Sequence, residues 1–188
     1  MKKFSRRRGV LTTTFSGYEV ELLTSLILQL VELVSDGKPE EYLSPAPDAF
    51  DELVRDLEEP GIRSEPEDPV LRRLFPTAYP QDAGAAADFR RFTERDLRSK
   101  KITDASVVLR RLAETEQGAH PLRIPLAETE SWLRTLTSVR LAVATRLGIT
   151  DAAAADALND LPEEDPRSFL VSVYDWLGFA EETLISAM

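Results

Sequence analysis

The chain has 188 residues, no cysteine and a formal net charge of −10. The lack of cysteine excludes disulfides, thiolate metal sites and thiol redox chemistry within it. Lys2, Lys3, Arg6, Arg7 and Arg8 lie in the first eight residues, so the remainder stands at −15 and repels phosphate backbones. Hydrophobic content of 43% with 30% charged residues suits one globular domain long enough to bury a real core.

Met1–Arg8 reads as a flexible basic arm, and residues 9–188 as a single helical domain. No signal peptide is visible, because the basic start leads into Thr12, Thr13 and Thr14 rather than an apolar run. The most apolar stretch, Leu22–Val34, is interrupted by Thr24, Ser25, Gln29 and Glu32 and is too short to span a membrane. The expected location is cytoplasmic, with no membrane contact.

Gly9–Phe15 is rich in β-branched residues and predicts a short strand. Ser16 or Gly17 then opens a helix, with Glu19 placed to complete a capping box if Ser16 is the cap. Leu22, Leu23, Leu26, Ile27, Leu30, Leu33 and Val34 give that helix its core face, and Asp36-Gly37-Lys38-Pro39 ends it. The following region is proline-rich and predicts two short helices, Ala46–Leu57 and Pro69–Phe75, with an acidic loop over Glu58–Asp68. Gln81–Glu116 predicts one long helix, with a kink near Ile102-Thr103-Asp104. Phe89, Phe92, Leu97, Val108, Leu109 and Leu112 are its expected buried contacts.

Pro121–Leu126 predicts a second strand that pairs with the first. Ser131–Ile149 follows as the central helix, with Trp132, Leu133, Leu136, Arg140, Val143 and Leu147 at three- and four-residue steps. Gly148 stands where a left-handed helix end favours glycine. A short alanine-rich helix, Ala152–Leu158, and a last helix from Pro166 to about Ser186 complete the chain. The fold class expected is a mostly α, single-domain orthogonal bundle of five to seven helices with a small two-stranded sheet.

Enzyme chemistry finds little support. His120 is the sole histidine and sits beside Gly118 and Pro121 in a predicted loop, so no dyad or zinc site can form around it. Adjacent carboxylates such as Glu58-Glu59 and Glu163-Glu164-Asp165 suit a solvated surface better than acid–base work, which needs separated pKa values. No glycine pattern follows either strand to cradle a phosphate, and no catalytic residue, cofactor or metal is assigned. The exit of the central helix has helix-turn-helix spacing at Ala144, Gly148 and Ile149. Its second helix carries Asp151, Asp156 and Asp160, with Asn159 as its one plausible base reader, so direct DNA reading is not expected.

Surface function falls instead to the long helix. Arg91, Arg95 and Arg98 lie at i, i+4 and i+7, a stripe suited to an acidic partner on an otherwise acidic protein. The competing reading is a solvated face with local pairs such as Glu94–Arg98, each worth about 0.3–0.5 kcal/mol. Arg140 lies on an apolar face and needs an internal counter-ion, for which Asp175 is the expected partner. The chain supplies both arginine-rich and acidic faces, which is compatible with a symmetric homodimer.

Three segments together, DPVLRRLFPTAYPQDAGAAADFRRFTERDLRSKK (68–101), WLRTLTSVRLAVATRLGI (132–149) and YDWLGFAEETL (174–184), resemble an actinobacterial family. It was first catalogued as a domain of unknown function and is named for AosR, an oxidative-stress transcriptional regulator. The resemblance implies a non-enzymatic cytoplasmic regulator that acts through a protein partner, a sigma factor on RNA polymerase. Redox sensing in the named regulator depends on cysteines, so that switch does not carry over to this chain. Thr137-Ser138 also departs from the Asn-Asp expected before the arginine of the central helix. An adaptor or structural interaction module unconnected to transcription is the alternative reading.

Overall fold

The computed structural model describes residues 1–43, 65–158, 161–162 and 164–188. The predicted helix Ala46–Leu57 and most of the predicted acidic loop lie outside the described residues. The chain opens on a hairpin, not on the flexible arm expected. Strand β1 (Ser5–Arg7) pairs antiparallel with β2 (Val10–Thr13), in the register Arg7↔Val10. That register leaves Arg8 and Gly9 as the turn, with φ of +49° and +78°, the left-handed pair that a two-residue hairpin favours. All three β1 side chains are exposed, while Phe4, immediately before it, is buried in the core. The arginines that looked like a loose tail belong to an exposed edge strand and its turn.

The other side of β2 pairs antiparallel with β3 (Leu122–Pro125), with Leu11 opposite Ile124 and both fully buried. The sheet therefore has three strands, in the order β1-β2-β3, rather than the two expected. Both predicted strands are present, and alternation along them sends Leu11, Thr13, Leu122 and Ile124 inward.

Helix α1 (Gly17–Val34) starts on the expected capping box: the Ser16 hydroxyl accepts from the Glu19 N–H, and the Glu19 carboxylate accepts from the Ser16 N–H. Val20, Leu23, Ile27, Leu30 and Val34 form its buried stripe. A single turn, α2 (Glu40–Leu43), follows. Helix α3 (Pro69–Leu74) has Pro69 in its first turn, with the Asp68 side chain accepting from the Val70 N–H at 2.7 Å. Helix α4 (Ala83–Ala113) runs unbroken for 31 residues through the position where a kink was expected. It ends in three left-handed residues, Glu116, Gln117 and Gly118, that turn the chain into β3. Gly118 is required there, because a Cβ would stand 2.7 Å from the Phe15 carbonyl oxygen.

After a 3₁₀ turn (Leu126–Glu128) come α5 (Thr129–Arg146), α6 (Ala152–Leu158) and α7 (Ser168–Ser186). Among the described residues these make seven α-helices. Helix α5 packs against α1, α3, α4 and α7, so it is the axis of the fold, and its Trp132 is fully buried. Among the described residues, no helix is long and apolar enough to cross a membrane.

Arg140 of α5 is an internal tie to α7, as expected, but through a different residue. Its guanidinium lies 3.4 Å from Glu181 and 4.6 Å from the Tyr174 ring centroid. Tyr174, Gly178 and Glu181 share one stripe of α7 at four- and three-residue steps, and Asp175 is rotated out to solvent. Gly178 makes the crossing feasible, since a Cβ would sit 3.1 Å from an Arg140 terminal nitrogen.

Candidate protein-docking face

The inward stripe of α4 changes chemistry half-way along. Towards its carboxyl end Ile102, Ala105, Val108 and Leu112 are buried, as expected of a core helix. Towards its amino end the same stripe continues through Ala86, Arg90, Glu94 and Arg98, and the three charged side chains are buried too. Burying three charges is costly unless each is paired and hydrogen-bonded. Glu94 answers both arginines: Arg98 Nε donates to it at 2.8 Å, and Arg90 Nε lies 3.4 Å from its other oxygen. Arg90 also reaches the Thr77 hydroxyl at 3.3 Å.

Arg98 has a further role that explains its burial. Its guanidinium donates to the carbonyl of Val34, the last residue of α1, and lies 3.3 Å from the Asp36 carboxylate. Helix α1 has no basic residue in its own last turn, so Arg98 supplies the cation that a helix carboxyl end favours. The Phe75 ring lies 5.1 Å below the guanidinium and closes the site from the α3 side.

The predicted arginine stripe is therefore split. Arg98 is only 5% exposed and cannot meet a partner in this fold. Arg95 is half-buried and donates to the Glu41 carbonyl at 3.4 Å, fastening α2 to α4. Arg91 alone of the three is openly exposed, and its guanidinium lies 4.5 Å over the Phe92 ring. The Glu94–Arg98 pair, expected as a solvated contact, is among the most buried ion pairs described.

With charge turned inward, the phenylalanines of this half turn outward. Phe89, Phe92 and Leu97 were expected in the core, yet Phe92 is 62% exposed, Leu97 44% and Phe89 41%. Tyr79, also exposed, meets Phe89 edge-on at 5.9 Å between ring centroids. A hollow of about 660 Å³ adjoins this patch through Tyr79, lined also by Pro76, Pro80 and Ala83 and by both Arg72 and Glu65. Three exposed aromatic rings with Arg91 stacked on one of them have the composition of a protein contact centre, where aromatics and arginine are enriched. Sequence reasoning missed the rings because it assigned every phenylalanine of the helix to the core. The available signal was that Arg90, Glu94 and Arg98 recur at four-residue steps in register with Ile102.

A family model for a domain of unknown function, DUF2017, matches residues 1–188. The chain belongs to the DUF2017 family. It is also similar to a curated Mycobacterium leprae protein named "Putative oxidative stress regulator AosR". The two are 29% identical over 181 residues, covering 91% of this chain and 79% of the relative. No solved structure matches the chain. This DUF2017 chain is thus related to a protein named as a regulator, in agreement with the resemblance of the three segments.

Two other positions singled out in the DUF2017 chain lie away from the aromatic face. At the α5–α6 corner Gly148 has φ of +75° and Ile149 is buried. Asp151 precedes and Asp156 stands on the helix that would read DNA, while Asn159 and Asp160 lie outside the described residues. His120 is exposed, 3.5 Å from Glu116. Among the described residues, no three histidine, aspartate or glutamate side chains cluster closely enough to hold a metal ion.

Proposed function

We propose that this protein is a non-enzymatic regulator that acts on transcription by contact with a protein of the polymerase machinery, a sigma factor on RNA polymerase, in the cytoplasm. The observation that carries the reading is the outward aromatic face of α4, formed by Tyr79, Phe89 and Phe92 with Arg91 stacked on Phe92. Exposed rings fill pockets on a partner, and Arg91 on a body of net charge −10 selects an acidic one. The similarity to a protein named as an oxidative stress regulator supports the regulatory sense of that contact. The acidic α6 supports recruitment through protein, because it offers little to base edges or phosphates.

The contact residues in this reading are Phe89, Arg91 and Phe92. Arg95 contributes from the margin, and Arg98 acts only by holding α4 in the rotation that presents the rings. The test is capture of RNA polymerase holoenzyme from the native cytoplasm on immobilised protein, followed by mass spectrometry. Arg91→Glu is expected to abolish recovery of the sigma factor while leaving the circular dichroism spectrum unchanged. Undiminished recovery by Arg91→Glu would remove this face from the contact. Recovery of a non-transcriptional assembly by the wild-type chain would instead favour the adaptor reading.

A further inference from the structure

A second cleft, of about 330 Å³, opens between α1, α4 and α5. Its volume is at the small end of the range for small-molecule sites. Leu30, Leu133 and Leu141 give it an apolar wall, and the polar groups converge on Lys101 and Ser138. Lys101 Nζ donates to the Ser138 hydroxyl oxygen at 3.1 Å and lies 5.8 Å from the Phe75 ring centroid. Among the described residues, no carboxylate stands within ion-pair distance of this ammonium. Arg134, which also lines the cleft, is by contrast paired with Glu130 and lies 3.7 Å from Asp104.

Lys101 is thus a half-buried cation that has lost much of its water without gaining an anion, which is unfavourable. Burial holds its pKa below the ordinary lysine value, against the pull of Asp104. The Ser138 hydroxyl accepts from Lys101 and has its own hydrogen left to donate, so the two groups together present a donor pair. Asp104 also lines the cleft, its carboxylate accepting from the Ser131 hydroxyl at 2.6 Å, and its charge disfavours a ligand with two negative groups.

We propose that this cleft binds a small aliphatic monocarboxylate, with the carboxylate on Lys101 Nζ and the Ser138 hydroxyl and the alkyl chain along Leu30, Leu133 and Leu141. The site is separate from the aromatic face of α4, so either can fail without the other. Sodium hexanoate is the probe, titrated into the full chain and followed by amide chemical shifts. The expected result is saturation in the millimolar range, as suits so few atoms, with shifts confined to the residues around Leu30 and to residues 100–104 and 133–141. Hexan-1-ol and succinate should bind at least about tenfold more weakly, the loss expected for a charge-assisted hydrogen bond.

Lys101→Met should lose hexanoate binding by a similar factor while its melting temperature stays equal or rises, because an uncompensated ammonium has been removed. Leu141→Trp should block the cleft with Lys101 still in place, which keeps the test decisive if the first variant does not fold. Unsaturable or scattered shifts, equal binding of hexan-1-ol, or unaltered hexanoate binding by either folded variant would overturn the proposal. A lowered melting temperature in Lys101→Met would also count against it, by marking Lys101 as a structural cation.

Discussion

The two halves of α4 present opposite solutions on one continuous helix. The carboxyl-terminal half buries Ile102, Ala105, Val108 and Leu112 and faces α5 as an ordinary core helix. The amino-terminal half buries Arg90, Glu94 and Arg98 and leaves Phe89 and Phe92 in solvent. The stripe between helix and core never changes register, so the difference is one of chemistry and not of rotation. A buried ion network holds α4 against α1 and α3 without using its aromatic side chains, which are left free for a partner. The halves should accordingly fail in different ways when altered.

The largest effect is expected at Glu94. Glu94→Ala leaves two buried guanidinium groups without their shared carboxylate, and such losses cost about 3–5 kcal/mol. Urea denaturation should place it at the low end of that range, because Arg98 keeps Asp36 and the Val34 carbonyl. In the other half, Leu112→Ala creates a cavity in a fully packed site, and about 2–5 kcal/mol of stability should be lost by the same assay. An equal loss from Glu94→Ala and from a surface control would show that the ion network is not structural.

A smaller effect separates the ion pairs at the two ends. Near the carboxyl end, the hydrogen bonds from Arg111, at 2.6 and 2.7 Å, hold the Glu128 carboxylate below its ordinary pKa, against the burial that would raise it. The folded state therefore binds this proton less readily than the unfolded chain. Its contribution to stability is complete above about pH 4.5, the ordinary value, and is lost as the pH falls through the lowered one. Arg111→Gln should flatten the acid limb of the stability–pH curve and leave the neutral limb lower. The smallest effect is expected at Arg91, which is exposed: Arg91→Glu should change stability by less than about 0.5 kcal/mol.

Much of the frame was legible because its signals are local. The Ser16–Glu19 capping box, the Gly148 helix end and the alternation of Leu11 and Ile124 each depend on near neighbours or on one fixed period. The hairpin of β1 was not, because an edge strand that faces solvent on both sides carries no apolar pattern, and Ser5-Arg6-Arg7 reads as a tail. Arg140 was legible as the cation that ties α5 to α7, but its partner was not. Asp175 was expected, whereas the facing stripe of α7 runs through Tyr174, Gly178 and Glu181. The candidate face was legible only in part. Arg91 was on it, but the burial of Arg98 depends on the end of α1 more than sixty residues away, and no local period records that contact.

The amino half of α4 faces inward with its charges and outward with its rings. Urea denaturation of Phe89→Ser/Phe92→Ser beside Glu94→Ala tests it most directly. The double aromatic variant is expected to stay within about 1.5 kcal/mol of the wild type, the loss of a partly buried ring pair, while Glu94→Ala loses about 3 kcal/mol or more. The reverse order, with the serine substitutions strongly destabilising and Glu94→Ala neutral, would mean that the rings are in the core and would contradict it.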